Sequence, residues 1–440
     1  MLDRAQRRPD ESPSLDFPLV LLLAAGHFMA FVDRAVPSVY APALKAGFHL
    51  TDTQLGALQG PAFVTLYTIA TLATGHRGHR LPRGALLAGS AALWTLATMA
   101  MALAQTYAGL LASRLVLGLA QAVFAPTALA VIVASAPAPR LSRWVSVFTS
   151  GSSMGRSGAL LAGGLALGVF SSGALHALVP TPWTHAPWRA AIVLLTLPNL
   201  ILVVLLAWRL RGRDETTTQG LGLGAALAHL AARPAGLGLH FLAAGAVILM
   251  VQAAAAWAPS IVNRACGLGP AASALLAGLV VLVAAPAGHL GGGWLLDRRR
   301  RDGGGPALVV AGGAVAAALG ALVLSRAASP ALAAAALFLV TAGGGAAALA
   351  ALAGLQPLSP PALRPAINGL YLAFVTVAGL GFGPLLTGVV SDRWFAGPHG
   401  LAMALAVVLA LAGSLAALAA FLGAGPWRRL ARDLRETASA

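Results

Sequence analysis

Acidic side chains are scarce in this chain. Its 440 residues hold 13 Asp and Glu against 29 Lys and Arg, and only 10% are charged, where a soluble domain carries about 25%. One cysteine, Cys266, excludes an intrachain disulfide framework and a cysteine-based metal site. Lysine is nearly absent, so the cations are arginines. What fills the chain instead is apolar: 58% of residues are hydrophobic, with a mean hydropathy of +0.81. The 51 glycines and abundant alanine suit close helix packing in lipid, where small residues let backbones approach. These proportions describe a polytopic membrane protein.

Apolar runs of bilayer-spanning length, about 20 residues, occur near 17–41, 53–74, 83–104, 107–135, 142–170 and 188–209. A second set follows near 236–261, 270–296, 305–325, 330–355, 363–390 and 400–423. The runs are continuous rather than alternating, which favours helices over a barrel. The expected fold is all-α, with twelve transmembrane helices in two pseudo-symmetric six-helix bundles. Residues 17–210 and 234–424 form the bundles, 211–233 the loop between them, and 1–16 and 425–440 the terminal segments. Residues 1–16 lack the apolar run and small-residue site of a cleavable leader, so the first helix is expected to act as its own insertion signal.

The formal charge of +16 does not point to nucleic acid, because the arginines alternate between loops. Arg4, Arg7, Arg8, Arg77, Arg80, Arg83, Arg140, Arg143, Arg209, Arg211, Arg213, Arg298–Arg301, Arg364 and Arg428–Arg435 fall on one side. The other side has only Lys45, Arg189, Arg264, Arg326 and Arg393. The positive-inside rule then places both termini in the cytoplasm. The arginine- and alanine-heavy composition suggests a bacterial inner membrane. Pro426–Arg435 reads either as a short basic helix lying on the membrane through Trp427 or as a solvated tail.

Asp33-Arg34 lies inside the first span, where a charge costs roughly 2.5–3.5 kcal/mol on insertion scales. Asp33 reads as the only acid within an apolar span, so it is either a structural ion pair or a protonatable site on a transport path. Arg114, Gly118 and Gln121 fall at i, i+4 and i+7 and share one helix face. If that face meets Asp33, Arg114 either forms a permanent bridge or pairs in one state only. Arg156 interrupts the glycine-rich stretch Gly151–Gly164, and it either enters a cavity or snorkels to the interface. His27 lies seven residues before Arg34, as a packing group or a proton relay. Gln59, Tyr67, Gln252, Trp257, Gln356, Asn368 and Tyr371 are further polar groups in or beside spans. The eighth span closes on Gly293-x-x-x-Asp297-Arg298, a G-x-x-x-D-R pattern that reads as a gate. The matching place in the first half, Gly75-His76-Arg77 through Arg80, is a decayed copy, as two related bundles predict.

Five stretches together resemble the Major Facilitator Superfamily, and within it the Spinster-like transporters. They are Phe31-Val32-Asp33-Arg34 with Asp52 through Gly60 and Tyr67; Arg114 through Gln121 with Ala125-Pro126 and the helix-five glycines; Trp257-Ala258-Pro259 with Asn263-Arg264 and Gly267; Gly292 through Arg298; and Gly379 through Asp392. The resemblance implies alternating access and an amphipathic or organic-anion cargo, such as a lysophospholipid or sphingoid lipid, moved with protons. It implies proton coupling at Asp33, Arg34, Arg114 and Gln121. The expected cargo contacts are Arg34, Arg114, Gln121, Arg156, Tyr67, Trp257, Asn368 and Tyr371, and the expected gate is Arg77, Arg80, Asp297 and Arg298. The family pattern has a glutamate where this chain has Gln121, which leaves Asp33 as the one titratable group of the set. A monomer with protons and membrane lipids as partners, and no cofactor or metal, completes the expectation.

An enzyme would need a clustered nucleophile, base or metal set. The ten histidines are scattered, with no H-E-x-x-H, and no G-x-x-x-x-G-K-[ST] loop supports ATP-driven pumping. A sensor with a transporter fold would carry an added signalling domain, and no segment here is long enough.

Overall fold

The computed structural model describes residues 17–77, 82–136, 138–175, 177, 180–211, 222–301 and 305–439. Twelve membrane-crossing helical units run through them. The first half holds α1 (Phe17–Val39), α2 (Asp52–Ala73), α3 (Arg83–Leu103), α4 (Tyr107–Ala134), α5 (Leu141–Ser171) and α6 (Pro187–Arg209). The second holds α7 (Pro234–Cys266), α8 (Pro270–Arg301), α9 (Ala307–Leu324), α10 (Pro330–Leu358), α11 (Arg364–Trp394) and α12, which continues from Gly400 to Ser439. No strand occurs among the described residues, as backbone in lipid requires when every amide must be satisfied within its own segment.

Local chemistry sets several helix ends. Thr51 accepts a hydrogen bond from the Gln54 amide while the Gln54 side chain accepts one from the Thr51 amide, a complete capping box that starts α2. Ser329 caps α10, whose first residue is Pro330. Gly267 ends α7 at φ +65°, a left-handed position that glycine occupies without strain. The close packing expected of a glycine-rich chain is visible where α9 meets α10. A Cβ on Gly313 would lie 2.5 Å from the Gly343 carbonyl oxygen, and one on Gly343 would lie 2.7 Å from that of Gly313.

Eleven of the units are apolar enough to be membrane spans by hydropathy alone; α5 is the one that is not. It is long, but it carries Ser152, Ser153 and Arg156 on a face turned to the interior of the protein. The tail does not lie free on the membrane. Trp427 is buried and donates its indole N–H to the Gly354 carbonyl at 2.8 Å, so α12 extends past the bilayer length packed on the protein. Within the 211–233 segment a short helix, Leu223–Ala231, packs on the second half through His229. The His229 ring uses Nε2 toward the Leu358 carbonyl and Nδ1 toward Arg233. That pair of contacts needs the neutral imidazole, with Nε2 donating and Nδ1 accepting. Burial first, then Arg233, holds the His229 pKa below its ordinary value of 6.5. With a lowered folded-state pKa, the docking is complete above that ordinary value and is lost as pH falls through the lowered one. Hydrogen exchange over 223–231 is expected to rise on acidification in the native protein and not in His229→Asn.

Candidate functional site

The two halves touch at one end and separate toward the other. Contacts between them gather at the end away from the arginine-rich loops. There the Ser38 hydroxyl of α1 donates to the Ala255 and Ala256 carbonyls of α7, both at 2.9 Å. Gly164 of α5 packs on Ala271 and Leu275 of α8, and Gly278 of α8 packs on Leu161. From this closed end a cavity of about 350 Å³ extends between the halves past Arg34, Arg156, Ser152 and Ser153 on one side and His289 on the other.

Asp33 sits behind the cavity wall, 1% exposed, on the inner face of α1. Asn199 of α6 donates its Nδ2 to Asp33 Oδ2 at 2.7 Å, and the Thr98 hydroxyl of α3 lies beside the same carboxyl. Asp33 Oδ1 and Asn199 Oδ1 have no hydrogen-bond partner among the described residues. Arg114 makes no side-chain bridge to Asp33. Its guanidinium donates to three carbonyls instead: Leu58 at 3.3 Å, Asp33 at 3.5 Å and Arg34 at 3.2 Å. Arg114 therefore fastens α4 to the backbone of α1 and α2, and its charge acts on the carboxyl through space. The one-face reading of Arg114 and Gln121 holds geometrically, but each takes a different partner.

Gln121 accepts from Arg34 Nε and Nη2 at 3.3 and 3.1 Å and donates to the Ala30 carbonyl at 2.9 Å. Arg34 is thus oriented by a neutral amide. Its guanidinium carbon also lies 4.4 Å from the Phe31 ring centroid, 4.6 Å from Phe63 and 5.4 Å from Tyr67. Arg156 approaches the same Phe31 ring at 5.5 Å and lines the cavity, so the interface alternative does not describe it. Gln59, 5% exposed, lines the cavity with neither side-chain polar atom bonded. His27 stacks on Phe148 and bonds its carbonyl, a packing position.

Of the eight expected cargo contacts only Arg34 and Arg156 line this cavity; Arg114 and Gln121 are buried behind it, Tyr67 lies against Arg34, and the other three lie elsewhere. Trp257 is fully buried and donates to the Pro384 carbonyl at 3.0 Å, because its side chain points from α7 into α11. Tyr371 is buried edge-on to Phe241. Asn368 bonds Gln356 near the arginine-rich end of α11. Each satisfies a helix–helix contact within the second half.

The closed end carries a charge cluster besides Asp33, although Asp33 alone stands out in the sequence as an acid within an apolar span. Asp52, at the first turn of α2, is 3% exposed and accepts two hydrogen bonds from Arg264 of α7, at 2.6 and 2.8 Å. It also pairs with Lys45 and accepts from the Ser391 hydroxyl of α11 at 2.8 Å. In the reverse direction, the Asp392 carboxylate of α11 accepts from the Asp52 and Thr53 amides at 3.0 and 2.7 Å. These amides belong to the first turn of a helix, where donors are unpaired and the dipole favours an anion. Gly388 permits the approach: a Cβ there would lie 2.3 Å from the Asp52 carbonyl oxygen. The capping box beginning at Thr51 marks the helix start in the sequence, but nothing in the sequence pairs it with Asp392, 340 residues away.

The sequence pattern of the Major Facilitator Superfamily matches residues 23–384. The chain belongs to the Major Facilitator Superfamily. Among curated proteins it is similar to an MFS-type efflux pump of Mycolicibacterium smegmatis, 29% identical over 163 residues, 37% of either chain. It is also similar to the methylenomycin A resistance protein of Streptomyces coelicolor, 30% identical over 141 residues, 31% of this chain and 30% of that one. The matched segments span about a third of these relatives' length. Among solved structures, a bacterial homologue of the human lysosomal transporter Spinster, inward-facing and unoccupied, superposes with a TM-score of 0.78 at 19% identity, covering 95% of this chain and 97% of that one. A D-xylose-proton symporter gives 0.62 at 19% identity, with coverages of 92% and 96%. These likenesses establish the fold, and the family makes the protein a multi-pass membrane transporter rather than an enzyme.

In this transporter the expected gate residues at the arginine-rich end are apart. Asp297 is exposed, with no partner among the described residues, and Arg298 lies over Trp294 at 5.8 Å. Arg77 ends its helix, its side chain lying outside the described residues, as does all of Arg80.

Proposed function

We propose that this transporter moves an amphipathic or organic-anion solute, lysophospholipid- or sphingoid-lipid-like, by alternating access, as a monomer and linked to proton movement at Asp33. The bundles of residues 17–210 and 234–424, joined through 211–233, rock about the central cavity. The carrying observation is the division of that cavity. Its first-half wall presents Arg34 and Arg156 across Phe31, and its second-half wall is mostly aliphatic, with Ile248, Val251, Val281 and Val340, interrupted by Gln252, His289 and Thr341. Two cations facing a mostly aliphatic wall suit a ligand with an anionic head and an apolar body. Arg34, Arg156 and Gln59 supply the polar contacts; Gln121, Arg114 and Tyr67 hold Arg34 and the backbone behind it.

By the positive-inside rule the arginine-rich side is cytoplasmic in a bacterial inner membrane, and the open cavity faces inward. The efflux and resistance functions of the partial relatives support loading from that side. Closure of that side by Asp297, Arg298, Arg77 and Arg80 is part of this reading. A facilitator without proton coupling is the second reading, favoured by Gln121, whose neutral amide stands where an acid would be needed beside Arg34.

Thermal unfolding against lysophospholipids, sphingoid lipids and small organic anions at two pH values tests the cargo. A ligand present at 100 times its Kd stabilises by about 2.7 kcal/mol. A lysophospholipid is expected to raise Tm, and Arg34→Gln/Arg156→Gln is expected to remove that rise while the unliganded melt stays near native. A response to small hydrophilic anions alone would replace the lipid-like cargo with an organic anion.

A further inference from the structure

A second cavity, of about 400 Å³, lies wholly within the second half, at the arginine-rich end between α7, α9 and α12. It is separate from the central cavity and shares no lining residue with it. Small side chains hollow it out: Ala243 of α7 and Ala420 and Gly423 of α12 leave the volume that larger residues would fill.

Its polar groups fall into two sets. His240 is spent on the Ala351 carbonyl at 2.7 Å, and Trp427 on the Gly354 carbonyl at 2.8 Å. Arg299, from the last turn of α8, and Arg428, from α12, also line the cavity, yet no carboxylate or carbonyl among the described residues engages either guanidinium. Their neighbours differ: Arg298 lies over Trp294, and Arg300 donates to the Ala353 carbonyl at 3.1 Å. At the rim, Leu308 and Phe421 are 46% and 53% exposed on membrane-spanning helices, so the recess opens toward hydrocarbon as well as toward the arginines.

We propose that this recess is a binding site for one anionic phospholipid, with Arg299 and Arg428 on the phosphate and an acyl chain laid over Leu308 and Phe421 into the hollow. The chemistry selects the occupant. A free phosphate satisfies the guanidiniums and leaves the apolar hollow empty. A zwitterionic lipid fills the hollow but brings its own cation to two arginines. An anionic lipid matches both, and basic pockets between helices at the cytoplasmic level have the right depth for its headgroup. The bound lipid joins the start of α7, the end of α8 and the helical tail, whereas the Trp427 hydrogen bond ties that tail to α10.

The full chain is delipidated and placed in phosphatidylcholine nanodiscs, and phosphatidylglycerol is then titrated, with lipid counted by native mass spectrometry and Tm recorded. Native protein is expected to retain one phosphatidylglycerol per chain and to melt higher with it. Arg299→Gln/Arg428→Gln is expected to weaken that binding by roughly tenfold or more, as loss of charge-assisted contacts does, with its melt in phosphatidylcholine unchanged. Arg429→Gln/Arg432→Gln removes the same charge from α12 positions outside the cavity and is expected to leave binding intact. Ala420→Phe, which fills the hollow and keeps both arginines, is expected to lose it. Equal weakening in the two arginine pairs means diffuse attraction to the leaflet and overturns the site. Equal protection by inorganic phosphate means an anion site without a lipid and overturns it as well.

Discussion

Asp33→Asn is expected to abolish proton-driven accumulation while leaving the protein folded. The substitution keeps shape and size at a position that is 1% exposed, and the Asn199 amide can still donate to the new side-chain oxygen. What it removes is the titratable group, and Gln121 offers none in its place. One proton moved per cargo molecule supports an accumulation of about tenfold for each pH unit across the membrane. The variant in proteoliposomes with an imposed pH gradient is expected to equilibrate cargo to equal concentrations and go no further. The native protein is expected to show the gradient-dependent ratio. Accumulation that still follows the gradient in Asp33→Asn would remove this carboxyl from the mechanism and leave the facilitator reading.

Arg264→Ala is expected to open the closed end. Asp52 is nearly fully buried and draws two hydrogen bonds from Arg264, so removing that partner strands most of a buried carboxylate's compensation. Truncating one member of a buried, hydrogen-bonded charge pair costs 2–5 kcal/mol in interfaces of this kind. The lower figure is roughly a thirtyfold change in the balance between the two bundle arrangements. Lys45 and Ser391 remain on Asp52, and the Asp392 grip on the α2 amides is untouched, so the lower end of that range applies. The chain supplies its own reporter: Cys266, two residues from Arg264, is the one cysteine and is half-buried. Labelling of Cys266 by a membrane-impermeant maleimide is expected to quicken in Arg264→Ala, and again when Gly388→Val pushes α11 from the Asp52 carbonyl. Unchanged labelling in both would mean that this cluster does not hold the halves together.

The two expectations differ in how far the sequence leads to them. Asp33 stands out on the line because a carboxylate inside an otherwise apolar run carries a cost that the run itself makes visible. The partner is another matter. Asn199 is one polar residue in α6, 166 positions away, and only the packing of α1 on α6 selects it. Arg114 and Gln121 do share a helix face, but periodicity gives a direction and no neighbour. Arg114 therefore reaches backbone carbonyls, and Gln121 reaches Arg34. Trp257 and Tyr371 show the same limit: an aromatic residue with a polar tip in a span satisfies a cavity or a helix seam equally well.

By itself, the sequence of this transporter determined twelve crossings, their helical nature and the side that holds the arginines. Those follow from hydropathy, backbone satisfaction in lipid and loop charge, which are properties of contiguous stretches. The tertiary structure alone decided which charges meet: Asp392 on the α2 amides, Arg264 on Asp52, Arg34 and Arg156 around one cavity, and Arg299 with Arg428 around another. Each of these joins residues from different helices, and in a bilayer the choice of helix neighbours rests on small-residue packing spread over whole faces. That information is distributed across hundreds of alanines, glycines and leucines that look alike in a linear reading.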